Sequence, residues 1–232
     1  MKVTVLQEGK YAELDDGMFD VACSITLIQF GKFNILFDTG GAWTLPALLD
    51  GLGGAGLDAT DITHVIGSHG HSDHIGCLSA FPDAVHVVGA DLNVRNKYTT
   101  LPTGPFVETM RVFRDEFVTG GKFHSWGDVA LPLDDVRGHD GFIRLVTTPG
   151  HTAHCSSLLL EGPPGSIAFG SASFSRVAIV GDLWDCADDA DYYESLSERP
   201  EAQAASRATI LAWHPDRIVP GHGPPFCPHK GM

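Results

Sequence analysis

The chain has 232 residues, of which 43% are hydrophobic and only 19% charged, with a formal net charge of -14. That is enough apolar material for a sizeable core and too little charge for a disordered or coiled-coil chain. So acidic a balance opposes broad electrostatic attachment to nucleic acid or to an anionic membrane surface, except where bound cations reverse the sign locally.

The opening "MKVTVLQEGKYAELDDG" carries no apolar stretch followed by a cleavage site, so no secretory signal is expected. The five cysteines, Cys23, Cys77, Cys155, Cys186 and Cys227, are odd in number and include no C-x-x-C pair. That argues against a disulfide framework and for a reducing compartment, cytoplasmic or nuclear. No apolar run reaches membrane-spanning length. With no linker or repeat in view, the chain reads as one domain over 1–232.

In chain order, "VTVLQ", "SITLIQF" and "FNILFDTG" are β-branched and aromatic runs bounded by turn residues, and read as strands. "WTLPALLDGLGGAG" reads as a helix from Trp43 that stops at its glycines. "ITHVIGS" is a buried strand leading into "SHGHSDHIG", with a short helix from Asp73 to Ala80. The stretch from Asn96 to Arg137 is irregular, part strand and part loop. "FIRLVTTPGH", "HCSSLLLEG" and "RVAIVGD" are further strands. The segment from Asp188 to Trp213 turns helical, and "RIVPGHGPPF" closes as a short strand and loop. Two halves in which strands dominate and helices intervene predict an α/β protein with a β-sandwich core and helices outside.

"SHGHSDHIG" places His69, His71, Asp73 and His74 within six residues. In extended chain, residues two apart face one side, so His69 and His71 can grip one ion while Asp73 and His74 point elsewhere. One ion cannot use all four comfortably, but two adjacent ions can. The missing ligands stand at later strand ends: His151 in "TTPGHT", Asp182 in "VAIVGD" and His222 in "VPGHGPPF". Imidazole suits zinc and a carboxylate can bridge two ions. The expected assignment gives His69, His71 and His151 to one ion and Asp73, His74 and His222 to the other, with Asp182 shared. Zinc is the default for both, with iron and manganese as the other candidates. Two such ions lower the pKa of a shared water to roughly 7. A bridging hydroxide is then available to attack carbonyl or phosphorus, with Asp73 placed to orient it and take its proton.

The H-x-H-x-D-H signature, followed by His151, Asp182 and His222 in order, resembles the metallo-β-lactamase superfamily. That resemblance implies a four-layer αββα sandwich with one or two zinc ions. It also implies that Asp38 of "FDTGG" is an outer partner of the metal ligands. The best-known zinc β-lactamases of this family carry cysteine where this chain has Asp182, whereas relatives that cleave thioesters, lactones or RNA carry aspartate, so β-lactam cleavage is not the expected main activity. The stretches "ILFDTGGAW", "SHGHSDHIGCLSAFPDA", "VAIVGDLW", "SLSERPEAQAASRATIL" and "RIVPGHGPPF" resemble one branch of the superfamily closely. That closer likeness implies an endoribonuclease that processes the 3′ ends of histone pre-mRNA as a homodimer with two zinc ions. RNA as partner rests on the resemblance alone; the acidic charge and short chain fit a small thioester or lactone better. A non-catalytic metal-binding module is the third reading, disfavoured because none of the seven ligand positions is missing.

His154, beside Cys155, could line the cleft and protonate a leaving group, although a structural role is favoured. His64, His86, His124, His139, His214 and His229 fall in no ligand pattern. Cys186 reads as a small buried residue. Arg95, Lys97, Arg111 and Arg114 could form a local basic patch, but read first as a solvated face.

Overall fold

The computed structural model describes residues 1–101, 106–114, 117–119, 141–189 and 192–228. Its strands in chain order are β1 (Lys2–Gln7), β2 (Lys10–Glu13), β3 (Phe19–Ala22), β4 (Ile25–Phe30), β5 (Phe33–Phe37), β6 (His64–Gly67), β7 (Val85–Val88), β8 (Asp91–Val94), β9 (Lys97–Thr100), β10 (Glu108–Phe113), β11 (Phe117–Thr119), β12 (Phe142–Thr147), β13 (Ser156–Glu161), β14 (Ile167–Phe169), β15 (Ala172–Phe174), β16 (Arg176–Gly181) and β17 (Arg217–Pro220). The helices are α1 (Leu45–Gly54), α2 (Ser72–Ile75), α3 (Tyr193–Leu196) and α4 (Pro200–Ala212).

Among the described residues the strands form two large sheets and one hairpin. The first sheet runs β15-β14-β1-β4-β5-β6-β7-β8-β9, the second β11-β10-β12-β13-β16-β17, and β2 pairs only with β3. Alternation along the strands explains the layering. Ile28 and Phe30 of β4 and Ile35 and Phe37 of β5 face Met110, Val112, Leu145, Leu158 and Leu160 of the second sheet, in one core between the sheets. The intervening Ile25, Leu27 and Leu36 pack outward with Leu48 and Leu52 of α1. On the far side Leu159, Ala178, Val180 and Ile218 pack outward with Ile210 of α4. Both faces of these central strands are covered, which is why they read as nearly unbroken apolar runs. The expected αββα sandwich is the fold observed.

Local chemistry sets the helix ends. α1 has a proline in its first turn and ends where the Ala55 N–H reaches back to Gly51 and Leu52. The short helix expected over Asp73–Ala80 stops at Ile75 and resumes as a single 3-10 turn, Leu78–Ala80. Gly76 interrupts it: the Gly76 N–H donates to Gly40 O (2.8 Å), and a Cβ there would strike the backbone of Gly41 and Ala42. The helix expected from Asp188 is only α3 and α4 among the described residues, because Pro200 cannot continue the earlier turn and starts α4 instead.

In the stretch from Asn96, β9, β10 and β11 are ordered strands; 102–105, 115–116 and 120–140, including "SWGDVALPLDD", lie outside the described residues, as do His124, His139 and His229. The expected solvated face of basic residues does not form as one surface. Arg95 is exposed and paired with Asp83 at the β8–β9 turn, whereas Arg111 lies buried in the other sheet with Glu108 at 2.6 Å. The hairpin β2–β3 and the pair β14–β15 were not foreseen. No helix among the described residues is long and apolar enough to cross a membrane.

His64 is a buried histidine of the β6 strand, with Nδ1 2.9 Å from Thr63 Oγ1. Burial pushes its pKa down to about 4. The unfolded chain therefore binds a proton between pH 6.5 and 4 that the folded chain refuses, and stability falls as pH falls through that window. Urea denaturation at pH 7 and pH 4 is expected to show His64→Gln losing about 2–3 kcal/mol less than the parent on acidification. An equal loss in both proteins would remove His64 from the account.

Candidate metal centre

The strands that carry the chemistry all end at one rim of the sandwich. β5 ends before Asp38, β6 before Ser68 and His69, β12 before the His151 loop, β16 before Asp182, and β17 before His222. The first two belong to one sheet and the last three to the other. Two glycines permit the convergence. A Cβ at Gly221 would strike Asp182 Oδ1, and one at Gly181, which also sits at φ +52°, would come within 2.6 Å of Ser68 Cβ.

The structure brings all seven expected ligand residues together. His69 Nε2 lies 2.8 Å from His71 Nδ1, and His151 Nε2 lies 3.2 Å from the same His71 atom. Asp182 Oδ2 faces this trio, 3.3 Å from His151 Nε2 and 3.6 Å from His69 Nε2. Its other oxygen, Oδ1, lies 3.2 Å from both His74 Nε2 and His222 Nε2. Asp73 Oδ2 completes the second group, 3.6 Å from His74 Nε2 and 3.9 Å from His222 Nε2. His69, His71, His151 and Asp182 form one set of atoms close enough to share an ion, and Asp73, His74 and His222 form another.

These atoms fit a metal better than they fit one another. Donors bound at 2.0–2.1 Å in a tetrahedron stand ~3.4 Å apart, close to the spacings found here. His74 Nε2 and Asp182 Oδ1 are buried, and despite their 3.2 Å approach neither has a hydrogen-bond partner. Such orphaned polar atoms are costly unless something else satisfies them.

The far nitrogens of the rings are fixed. His74 Nδ1 lies 2.8 Å from Asp38 Oδ2, and His222 Nδ1 lies 3.1 Å from the Ala22 carbonyl. Each of these rings, with its Nδ1 engaged, turns its Nε2 toward the cleft. Asp38 is buried at φ +60° and also accepts from Ser68 N (2.6 Å) and Ser68 Oγ (2.9 Å). Ser68 Oγ lies 3.0 Å from His69 Nδ1 as well. The sequence reading anticipated the approach of Asp38 to a ligand but not the role of Ser68 between them.

The electrostatics divide the cluster. Burial drives His69 down to about 2 and lowers His151. Burial also opposes charge on His74 and His222, but Asp182 outweighs it, raising His74 strongly and His222 to about 9. Asp182, against the pull of its own burial, is held well below the usual carboxylate range by His74 and His222. A buried anion thus draws cations to itself; a divalent ion would compete with protons for the same nitrogens.

Several supports went unread in the sequence. Gln203 Nε2 donates to Asp182 O (2.9 Å) and Leu183 O (3.2 Å), and Arg207 Nε donates to Leu183 O (2.6 Å). Ser206 Oγ donates to Pro149 O (2.8 Å), while the Arg199 and Glu198 N–H groups donate to Gly150 O and His151 O. α4 therefore holds both the His151 loop and the Asp182 loop. The readable signal was the i, i+3, i+4 spacing of Gln203, Ser206 and Arg207 in an otherwise alanine-rich helix. Asp185, also unread, is buried beside Asp182 and His222, and burial, then Asp182, pushes its carboxyl up to about 7.

His154 stands outside both sets: it is exposed, and its Cβ lies against Gly89. His86 Nε2 lies 2.8 Å from Phe81 O, away from the cluster. Cys186 is only half-buried rather than buried.

Asparagine tolerates the left-handed backbone of position 38 but cannot accept every bond the carboxylate does. Asp38→Asn is expected to keep the fold and to weaken zinc binding 10–100-fold, as measured by competition with a chromophoric chelator. Unchanged affinity would remove Asp38 from the centre's support.

The sequence profile of the metallo-beta-lactamase superfamily matches residues 18–222. Metallo-beta-lactamase domain-containing protein 1 of Xenopus laevis is 37% identical over 224 residues, covering 97% of this chain and 80% of that protein. The Homo sapiens protein of the same name is 35% identical over 192 residues, and there the match spans only 59% of the longer relative. An N-acyl homoserine lactonase of Azorhizobium caulinodans is 27% identical over 180 residues, 72% of this chain and 65% of that one. In fold, a metallo-beta-lactamase structure from Thermotoga maritima aligns with TM-score 0.61 at 16% identity, covering 98% of this chain and 99% of that one. Profile, relatives and fold agree with the geometry of the rim: this chain belongs to the metallo-beta-lactamase superfamily.

Proposed function

We propose that the chain is a dinuclear, zinc-dependent hydrolase. The observation that carries this is the placement of Asp182, one oxygen toward the His69–His71–His151 group and the other toward His74 and His222. In this reading His69, His71 and His151 hold the first ion, Asp73, His74 and His222 hold the second, and Asp182 serves both. Bound there, two such ions supply Lewis acidity and lower the pKa of water from 15.7 to about 7. The protein's own groups do the rest. Asp73, with 23% of its side chain exposed, can accept the proton of an attacking water. Asp38 and Ser68 keep His74 in one tautomer, and the Ala22 carbonyl does the same for His222. His71 is exposed at the rim, where substrate enters. His154 is also exposed and can reach only a leaving group that extends beyond the cluster.

For substrate, the likeness of long stretches beyond the ligands favours a phosphodiester in single-stranded RNA, cleaved by a homodimer. A second reading, a small ester, thioester or lactone, is favoured by the hairpin β2–β3. Its root touches His222 through Ala22, and it exposes Leu14, Met18 and Phe19; Tyr11 meets Tyr192 at 5.7 Å. The hairpin also carries Glu13, Asp15, Asp16 and Asp20, with Lys10 bound to Asp20 at 2.6 Å. An apolar, acidic bank suits an uncharged acyl arm better than a polyanion.

Zinc-loaded protein is expected to cleave single-stranded RNA, and a chelator to abolish the cleavage. If it hydrolyses a thioester or lactone and leaves RNA intact, the second reading stands in place of the first. In either assay Asp182→Ala is expected to lower bound zinc from two per chain toward one. It is also expected to cost activity beyond the ~100-fold typical of losing an outer partner. Two zincs and full activity in that variant would dismiss Asp182 as the carboxylate that serves both ions.

A further inference from the structure

The segment "GDLWD" after β16 returns to the cleft three residues beyond Asp182. Leu183 and Trp184 turn into the outer core, 1% and 2% exposed, and so carry the next residue back toward the rim. Two backbone bonds lace this return to the last ligand loop: Gly221 N donates to Trp184 O and His222 N to Asp185 O, each at 2.9 Å. Asp185 is thereby fixed beside His222. Ligand atoms of Asp182, Asp185 and His222 lie within 4.8 Å of one another, with the three residues 5%, 7% and 7% exposed.

Structural pairing does not account for this carboxylate. Asp189, four residues on, is matched by Arg207 Nη2 at 2.5 Å and by the N–H groups of Asp185 and Tyr193. Among the described residues Asp185 makes a hydrogen bond through its backbone N–H but none through its carboxylate, and its neighbour Asp182 Oδ1, 3.2 Å from His74 and His222 Nε2, has no hydrogen-bond partner. Two buried acids side by side, one with an orphaned oxygen, call for a cation.

We propose that Asp185 is a fifth protein ligand of the second cation position. This rests on the ligand assignment of the preceding section and adds a chemical asymmetry to it. The first position has three imidazoles and one carboxylate oxygen, a nitrogen-rich set of four that suits zinc. The second then draws on two overlapping groups that share His222, one with Asp73 and His74 and the other with Asp182 and Asp185, making three carboxylates and two imidazoles. An oxygen-rich set of five accepts the harder divalent ions, manganese and ferrous iron, more readily than the first position does.

The test fills the first position of the metal-free chain with one zinc per molecule and titrates the second with manganese, followed by electron paramagnetic resonance. Asp185→Asn is expected to weaken manganese binding at least tenfold while zinc affinity at the same position changes less than threefold. Cobalt in the second position is expected to absorb weakly in the parent and more strongly in the variant, as five donors become four. Asp185→Glu, which keeps a carboxylate, is expected to retain manganese. Should Asp185→Asn fail to fold, Asp185→Glu against Asp185→Gln carries the same comparison. Parent and variant alike in manganese affinity and cobalt spectrum would overturn the inference and leave the two-ion centre standing. A parent that takes no second ion would overturn both.

Discussion

Everything at the rim depends on a buried negative charge, Asp182, 5% exposed and surrounded by imidazoles. A carboxylate removed from water is stable only against positive charge or hydrogen-bond donors. Here its oxygens face ring nitrogens, and the backbone around it is tied down by α4 through Gln203 and Arg207. Gly181 and Gly221 are glycines because no side chain fits between this carboxylate and the neighbouring strand ends. The strand endings, the small residues and the buried polar face of α4 are thus consequences of one electrostatic requirement.

The legible part of this protein was the part written in local chemistry. "SHGHSDHIG" and the three later ligand positions could be read because metal chemistry needs those residue types and strand ends present them. The sandwich core was legible from apolar runs such as "SITLIQF", whose two faces are both buried. The hairpin β2–β3 was not, because most of its residues are exposed, Leu14, Met18 and Phe19 included, so no buried face sets up the alternation that marks a strand. Helix lengths were overestimated at Gly76 and Pro200, where a close backbone approach and a missing donor decide the end.

Support for the centre was the least legible part of all. Asp38 could be placed by motif, but Ser68, Gln203, Arg207 and Asp185 act through tertiary contacts between elements far apart in sequence. Arg207 shows why. Its guanidinium lies 3.7 Å from the Tyr193 ring centroid and 5.0 Å from that of Trp184, and it caps Asp189. A charged side chain in a helix reads from sequence as solvated, and only the packed neighbours reveal it as a buried strut.

The cluster draws His69, His71 and His74 from one sheet and His151, Asp182 and His222 from the other, with Ser68 as their meeting point: Ser156 N donates to Ser68 O across the join, and Gly181 packs on its side chain. Neither half of the sandwich can bind an ion alone as the whole does. An ion held by ligands from both halves would bind only after the halves have docked, and would then work as a rivet across the seam. A displacement of one half from the other would loosen such an ion, so metal retention would report that the two halves remain joined.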